Sequence, residues 1–125
     1  MAIYNRMVVP MQVMPLQPAT IDRVLGALAD GTRRDILRRA MVGREGVAEL
    51  AIHYPMSFAA VQKHVAILEG AGLVTKARTG RRKVVQTRVD GLAVARRLLD
   101  QYEELWRGRV DRMASLISDD KEIDT

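Results

Sequence analysis

The stretch Ser57-Phe-Ala-Ala-Val-Gln-Lys-His-Val-Ala-Ile-Leu-Glu-Gly-Ala-Gly-Leu-Val-Thr-Lys-Ala-Arg-Thr-Gly-Arg-Arg-Lys83 decides the fold. Its first half carries a helix signal. Ser57 is placed to cap a helix, because its hydroxyl can accept from a free amide of the first turn. Met56 and Val61 have the spacing of a hydrophobic staple across that start. Val61, Val65 and Leu68 recur at helical period, which predicts one buried face. The opposite face carries Phe58, Ala59, Gln62 and Lys63, residues that core packing does not require. Gly70 and Gly72 are expected to close the helix, since glycine accepts the left-handed backbone of a C-cap. The second half predicts a hairpin. Residues 73–78 and 83–89 flank Thr79-Gly-Arg-Arg82, with Gly80 available for the turn. A helix with a polar outer face followed by an arginine-tipped hairpin is the layout of a winged helix-turn-helix. In that layout the helix enters a major groove and the hairpin lies along the backbone.

The flanking sequence supplies the rest of such a domain. Thr20 is placed as an N-cap, with Asp22 near the positive end of the helix dipole. Ile21, Val24, Leu25 and Leu28 then share a face, and Ala29-Asp30-Gly31 breaks the helix. Thr32 is expected to cap the next helix, with Asp35 as capping-box partner. Ile36, Leu37 and Ala40 face inward, and Gly43 ends it. Gly46 opens a short helix over 47–53 with Val47, Leu50 and Ala51 inward. Tyr54-Pro55-Met56 is the turn that leads into Ser57.

After the hairpin, Asp90 or Gly91 caps a long final helix. Leu92, Leu98, Leu99, Tyr102, Leu105, Trp106, Val110, Met113, Leu116 and Ile117 sit mostly three or four apart. A domain this small cannot bury that stripe alone, so a dimer seam is expected, carried by Leu98, Tyr102, Leu105, Trp106, Val110 and Met113. Trp106 could also border an effector pocket. The expected organisation is a flexible or arm-like leader over 1–19, a winged helix-turn-helix domain with its dimerisation helix over 20–118, and an acidic tail over 119–125. The leader contains Pro10, Pro15 and Pro18, which exclude a regular helix there. An arm across a partner subunit would explain its methionines and valines. The fold class is mainly α with a small β-hairpin, about five helices in all.

A length of 125 residues suggests one domain, and a hydrophobic fraction of 48% suffices for a core. The net charge of +5 is weak evidence for a polyanionic partner, but its placement is stronger. Residues 76–88 hold six Lys or Arg and no Asp or Glu. There is no cysteine, so disulfides, thiolate metal sites and thiol sensing are excluded together. No apolar run is long enough to span a membrane, and no secretory signal is evident, so a cytoplasmic location is the default.

Each candidate residue also has a plainer reading. Gln62 could pair with adenine and Lys63 with guanine or phosphate, or both could form an ordinary solvated face. Phe58 could touch a thymine methyl or fold back onto the core. Ser57, Ala59 and His64 complete the DNA-facing set, with His64 near the core or a phosphate. Lys76, Arg78, Arg81, Arg82 and Lys83 are expected phosphate contacts, or else charges that protect an edge hairpin from aggregation. Glu49 and His53 lie four apart, but two ligands are too few for a closed metal site. No nucleophile–base pair or phosphate loop is recognisable, so an enzyme is not expected.

Residues 20–90 resemble the ArsR family of bacterial winged-helix repressors. The resemblance rests on three pieces. Leu28-Ala-Asp-Gly-Thr-Arg-Arg-Asp-Ile-Leu37 is similar to the motif joining two helices, with Gly31 where a proline is common. Val47-Ala-Glu-Leu-Ala51 resembles the first helix of the helix-turn-helix. Ser57 to Leu68, Gly72-Leu-Val74 and Gly80-Arg81 resemble the recognition helix and wing. Gln62 replaces a small serine, so base preference does not carry over. Tyr102-Glu-Glu-Leu-Trp106, with the helix to Ile117, is similar to a metal-independent branch. The resemblance implies a homodimer on an operator with dyad symmetry, released by an effector that the sequence does not identify. The Cys and His sensing sites of metal-responsive members have no counterpart, so no metal or cofactor is expected. The expected function is a sequence-specific, double-stranded DNA-binding transcriptional repressor, homodimeric on a pseudo-palindromic operator. The alternative is a winged-helix protein-interaction module without specific DNA binding.

Overall fold

A computed structural model describes the backbone of residues 16–124 and the side chains through 118. Five helices and one hairpin follow in order among the described residues: α1 (Pro18–Leu28), α2 (Gly31–Ala40), α3 (Val47–Ala51), α4 (Phe58–Gly70), β1 (Val74–Thr79), β2 (Arg82–Thr87) and α5 (Val89–Asp124). This is the mainly α architecture read from the sequence. Most of the leader lies outside the described residues. No helix among those described is long and apolar enough to cross a membrane.

Several helix ends differ from expectation. α1 starts at Pro18, with Gln17 as N-cap and no side-chain cap bond, so neither Thr20 nor Asp22 marks its beginning. A proline in the first turn removes an amide that has no helical acceptor, and its fixed φ suits the helix. Leu16 packs against the core just ahead of it. α2 is capped by Asp30, not Thr32: Asp30 Oδ1 accepts from the Arg33 amide at 3.0 Å. That amide is the main cause holding the Asp30 carboxyl below its ordinary pKa. α3 stops at Ala51, short of His53.

α4 begins as read, with Ser57 Oγ accepting from the Ala60 amide at 3.1 Å. It ends in a Schellman motif. Gly72, at φ +72°, donates to the Glu69 carbonyl at 3.1 Å, and the Leu73 amide to that of Leu68 at 3.0 Å. Gly70 is an ordinary helical residue. Gly91 and Asp90 lie inside α5, not ahead of it. Gly91 is instead a crossing point. A Cβ there would stand 2.8 Å from Leu73 Cδ2 and 2.9 Å from the Ala71 and Gly72 carbonyl oxygens.

The chain divides into a unit ending at Ala95 and a unit from Arg96 onward. The first unit has one core. Val24 and Ala27 of α1, Ile36 and Ala40 of α2, Leu50 of α3 and Val61, Val65 and Leu68 of α4 meet Leu73, Val74 and Val85 of the hairpin. Leu25 lies off the buried face of α1 and is 40% exposed. The second unit is the remainder of α5, helical through the acidic end to Asp124. Leu98 is buried, whereas Leu99, Tyr102, Leu105, Trp106, Val110 and Met113 are exposed.

Asp35, released from any capping role, becomes a junction. Tyr54 Oη donates to its Oδ2 at 2.6 Å, Arg39 Nε to the same oxygen at 3.0 Å, and Arg38 Nη2 to Oδ1 at 2.6 Å. The Tyr54 bond ties the turn ahead of α4 to α2. These donors, Tyr54 first and then the arginines, hold the Asp35 carboxyl well below the usual carboxylate range. Partial burial and the adjoining carboxylate push the Tyr54 hydroxyl up to about 12.

A depressed folded-state pKa contributes stability above the unfolded value of about 4, and that contribution fades as pH falls below it. Asp35→Asn should therefore cost about 1–2 kcal/mol at pH 7, with the difference from wild type shrinking below about pH 4. Urea unfolding at pH 7 and in acid measures both.

Candidate nucleic-acid interface

α4 has two opposed faces. Val61, Val65 and Leu68 are fully buried, which fixes the rotation of the helix about its axis. Phe58, Ala59, Gln62, Lys63, Ala66 and Ile67 are left outward, with His64 half-buried on the flank. Phe58, 48% exposed, does not fold into the core. α3, the turn and α4 form the helix-turn-helix, and Met56 anchors the turn in the core.

The hairpin follows α4 directly. Thr79 pairs with Arg82, leaving Gly80-Arg81 as a two-residue loop. Gly80 has φ +65°, the requirement for the first position of a type II′ turn. The ladder pairs Lys76 with Val85, Arg78 with Lys83 and Thr79 with Arg82. Paired residues share a face, and faces alternate along a strand. Lys76, Arg78 and Lys83 therefore project from one face, and Arg82 from the other. Like charges directly opposite one another, as Arg78 and Lys83 are, destabilise a sheet. None of Lys76, Arg78, Arg81 and Lys83 has an ion-pair partner among the described residues, so their charge is available to an anion.

Arg82 is differently placed. Its Nη2 contacts Glu49 Oε1 of α3 and lies 3.4 Å from the Arg44 carbonyl oxygen. Glu49 Oε1 also accepts from the Gly46 amide at 3.2 Å, so one carboxylate caps α3 and holds the wing. The Val85 amide donates to the Glu45 carbonyl at 2.8 Å. A Cβ on Gly46 would stand 2.8 Å from the Lys83 carbonyl oxygen. The wing is thus seated on the loop ahead of α3. Glu49 faces Arg82 and not His53, whose Nε2 lies 2.6 Å from Glu45 Oε2.

The structure therefore brings Gln62, Lys63 and their neighbours together on α4, places three of the predicted cations on one wing face and Arg81 in its loop, and sets Arg82 apart. Sequence reasoning missed Arg33, and it missed that Glu49 and Gly46 seat the wing. Arg33 reads as one cation in a run. Its Nε and Nη2 in fact reach the Ala27 and Gly26 carbonyls at 2.9 and 3.0 Å. Only the capping-box spacing of Gly46 and Glu49 was a local signal.

A helix-turn-helix whose second helix keeps its polar side outward, followed by a seated cationic hairpin, defines a winged helix-turn-helix domain. Comparison with known proteins places it more closely. The chain is 42% identical over 96 residues to the HTH-type transcriptional regulator Rv2034 of Mycobacterium tuberculosis, covering 77% of this chain and 87% of that protein. The crystal structure of the ArsR family transcriptional regulator RHA00566 matches at TM-score 0.68 and 30% identity, over 75% of this chain and 97% of that one. The homodimeric winged helix-turn-helix DNA-binding domain of Mb0332 from Mycobacterium bovis, a possible ArsR-family regulator, matches at TM-score 0.52 and 30% identity. That match covers 69% of this chain and 79% of the other. No family model matches the chain. The chain belongs to the ArsR-type winged helix-turn-helix transcriptional regulators, which are not enzymes.

Gly46→Ala should force the wing from its seat. A loss of about 1–3 kcal/mol in urea unfolding is expected, with faster amide exchange at Val84 and Val85 than elsewhere in the core.

Proposed function

We propose that this regulator is a sequence-specific repressor that binds a pseudo-palindromic operator in double-stranded DNA as a homodimer. The observation that carries the reading is the outward polar face of α4 together with a wing face bearing Lys76, Arg78 and Lys83. Ser57, Phe58, Ala59, Gln62 and Lys63 lie at the start of α4, where side chains of a recognition helix reach base edges. Gln62 offers the bidentate amide suited to adenine. The wing cations with Arg81 supply phosphate contacts, which position the domain without reading sequence. Arg82 acts mainly through Glu49, holding the hairpin.

Two copies are proposed because Tyr102, Leu105, Trp106, Val110 and Met113 leave an apolar stripe uncovered in the single chain. The homodimer formed by the Mb0332 domain supports the same reading. Pairing two such helices presents two recognition helices roughly 34 Å apart, one turn of the duplex, and so requires a site with dyad symmetry. Occupying such a site would exclude polymerase, the simplest route to repression.

Selection of bound sequences from random duplex DNA should return an inverted repeat. On that site, Gln62→Ala should cost about 1–3 kcal/mol and relax preference at one or two positions, with non-specific binding nearly intact. Arg78→Ala should weaken both kinds of binding and reduce the salt slope by about one unit. Wild-type affinity and salt slope in both variants would leave the DNA reading without support.

The dimer is tested separately. Glutamates at both Leu105 and Val110 should give monomers or insoluble protein. A soluble dimer of unchanged mass in sedimentation would defeat the seam.

A further inference from the structure

Arg33 and His64, 31 positions apart in sequence, meet beside the recognition helix. Two of the Arg33 donors are committed to the Gly26 and Ala27 carbonyls in the last turn of α1. A helix leaves acceptors unpaired there, and a positive charge suits its dipole. These two bonds orient the guanidinium. Its remaining arm, Nη1, lies 3.2 Å from His64 Nδ1.

A guanidinium carries donors only and keeps its proton in proteins. With Nδ1 as the acceptor of this contact, the ring hydrogen sits on Nε2. Imidazole geometry turns Nε2 away from the guanidinium. Nε2 has no hydrogen-bond partner among the described residues, the Asp30 carboxylate lies within electrostatic reach of the ring, and the ring is half-buried next to the exposed Lys63.

We infer that Arg33 is a positioning residue for DNA contact: it holds His64 so that Nε2–H donates to a phosphate oxygen at the edge of the groove that α4 enters. This rests on the DNA reading above. It assigns His64 a fixed donor role on the flank of α4, distinct from the cations of the wing. Arg33 itself need not touch DNA.

The test uses the full chain and a mixed-sequence duplex three helical turns long at low salt, read by fluorescence anisotropy. Glutamine places its amide nitrogen where Nε2 stands, and asparagine where Nδ1 stands. His64→Asn should weaken binding about tenfold, and His64→Gln should recover most of that loss. The nitrogen-15 spectrum of the wild-type imidazole should show hydrogen on Nε2 and a bare Nδ1. Arg33→Met should lose that pattern and weaken binding while its circular dichroism stays unchanged. Should Arg33→Met fail to fold, the two His64 variants and the wild-type spectrum decide alone. Hydrogen on Nδ1 in the wild type, or wild-type affinity in His64→Asn, overturns the inference. Lys63→Ala separates the two readings. If it weakens binding while His64→Asn does not, only this inference falls. If neither weakens binding, the DNA reading falls with it.

Discussion

The burial of one face of α4 is the constraint on which the rest depends. Val61, Val65 and Leu68 are fully buried and drawn from successive turns of one helix. Exposing any of them to water would forfeit about 1.5–3 kcal/mol, so rotation of the helix about its axis is strongly opposed. Everything outward on α4 is outward because these three are inward. The polar face needs no interaction of its own to be presented, which leaves Gln62 and Lys63 free for a partner. The ends of the helix are as firmly set, by the Ser57 cap at one end and the Schellman turn at Gly72 at the other.

The wing follows a different principle. Its position comes from contacts with the loop ahead of α3, and its charge distribution from strand register. Glu49 serves both, accepting from the Gly46 amide and pairing with Arg82. A single carboxylate thereby removes one cation from the anion-facing set and uses it as a tether. The remaining cations stay close together despite mutual repulsion. That arrangement is unfavourable for the isolated hairpin and favourable beside a phosphate backbone, where counterion release drives binding.

Around α4, polar side chains connect elements that are distant in sequence. Tyr54 reaches Asp35, and Arg33 reaches both the end of α1 and His64. These bonds join α1, α2 and the turn to the recognition helix through groups with fixed geometry. In a domain with one small core, such bonds supply the orientation that non-directional apolar packing leaves loose.

The sequence by itself determined the order of the elements, the inner and outer faces of α4, the Ser57 cap, the Gly72 and Gly80 turns and the cationic hairpin. These are local matters, settled by helical period, strand alternation and the backbone freedom of glycine. Where neighbouring residues compete for one role, local rules did not decide between them. Pro18 and Asp30 took the starts that Thr20 and Thr32 could equally have served. The tertiary structure alone decided which polar side chains find distant partners. Asp35 joins Tyr54, Glu49 joins Arg82 and not His53, Arg33 joins His64, and Gly91 lets α5 cross the end of α4. Each of these depends on the approach of segments far apart along the chain. No residue type or spacing encodes such an approach, because packing of the whole core brings the segments together.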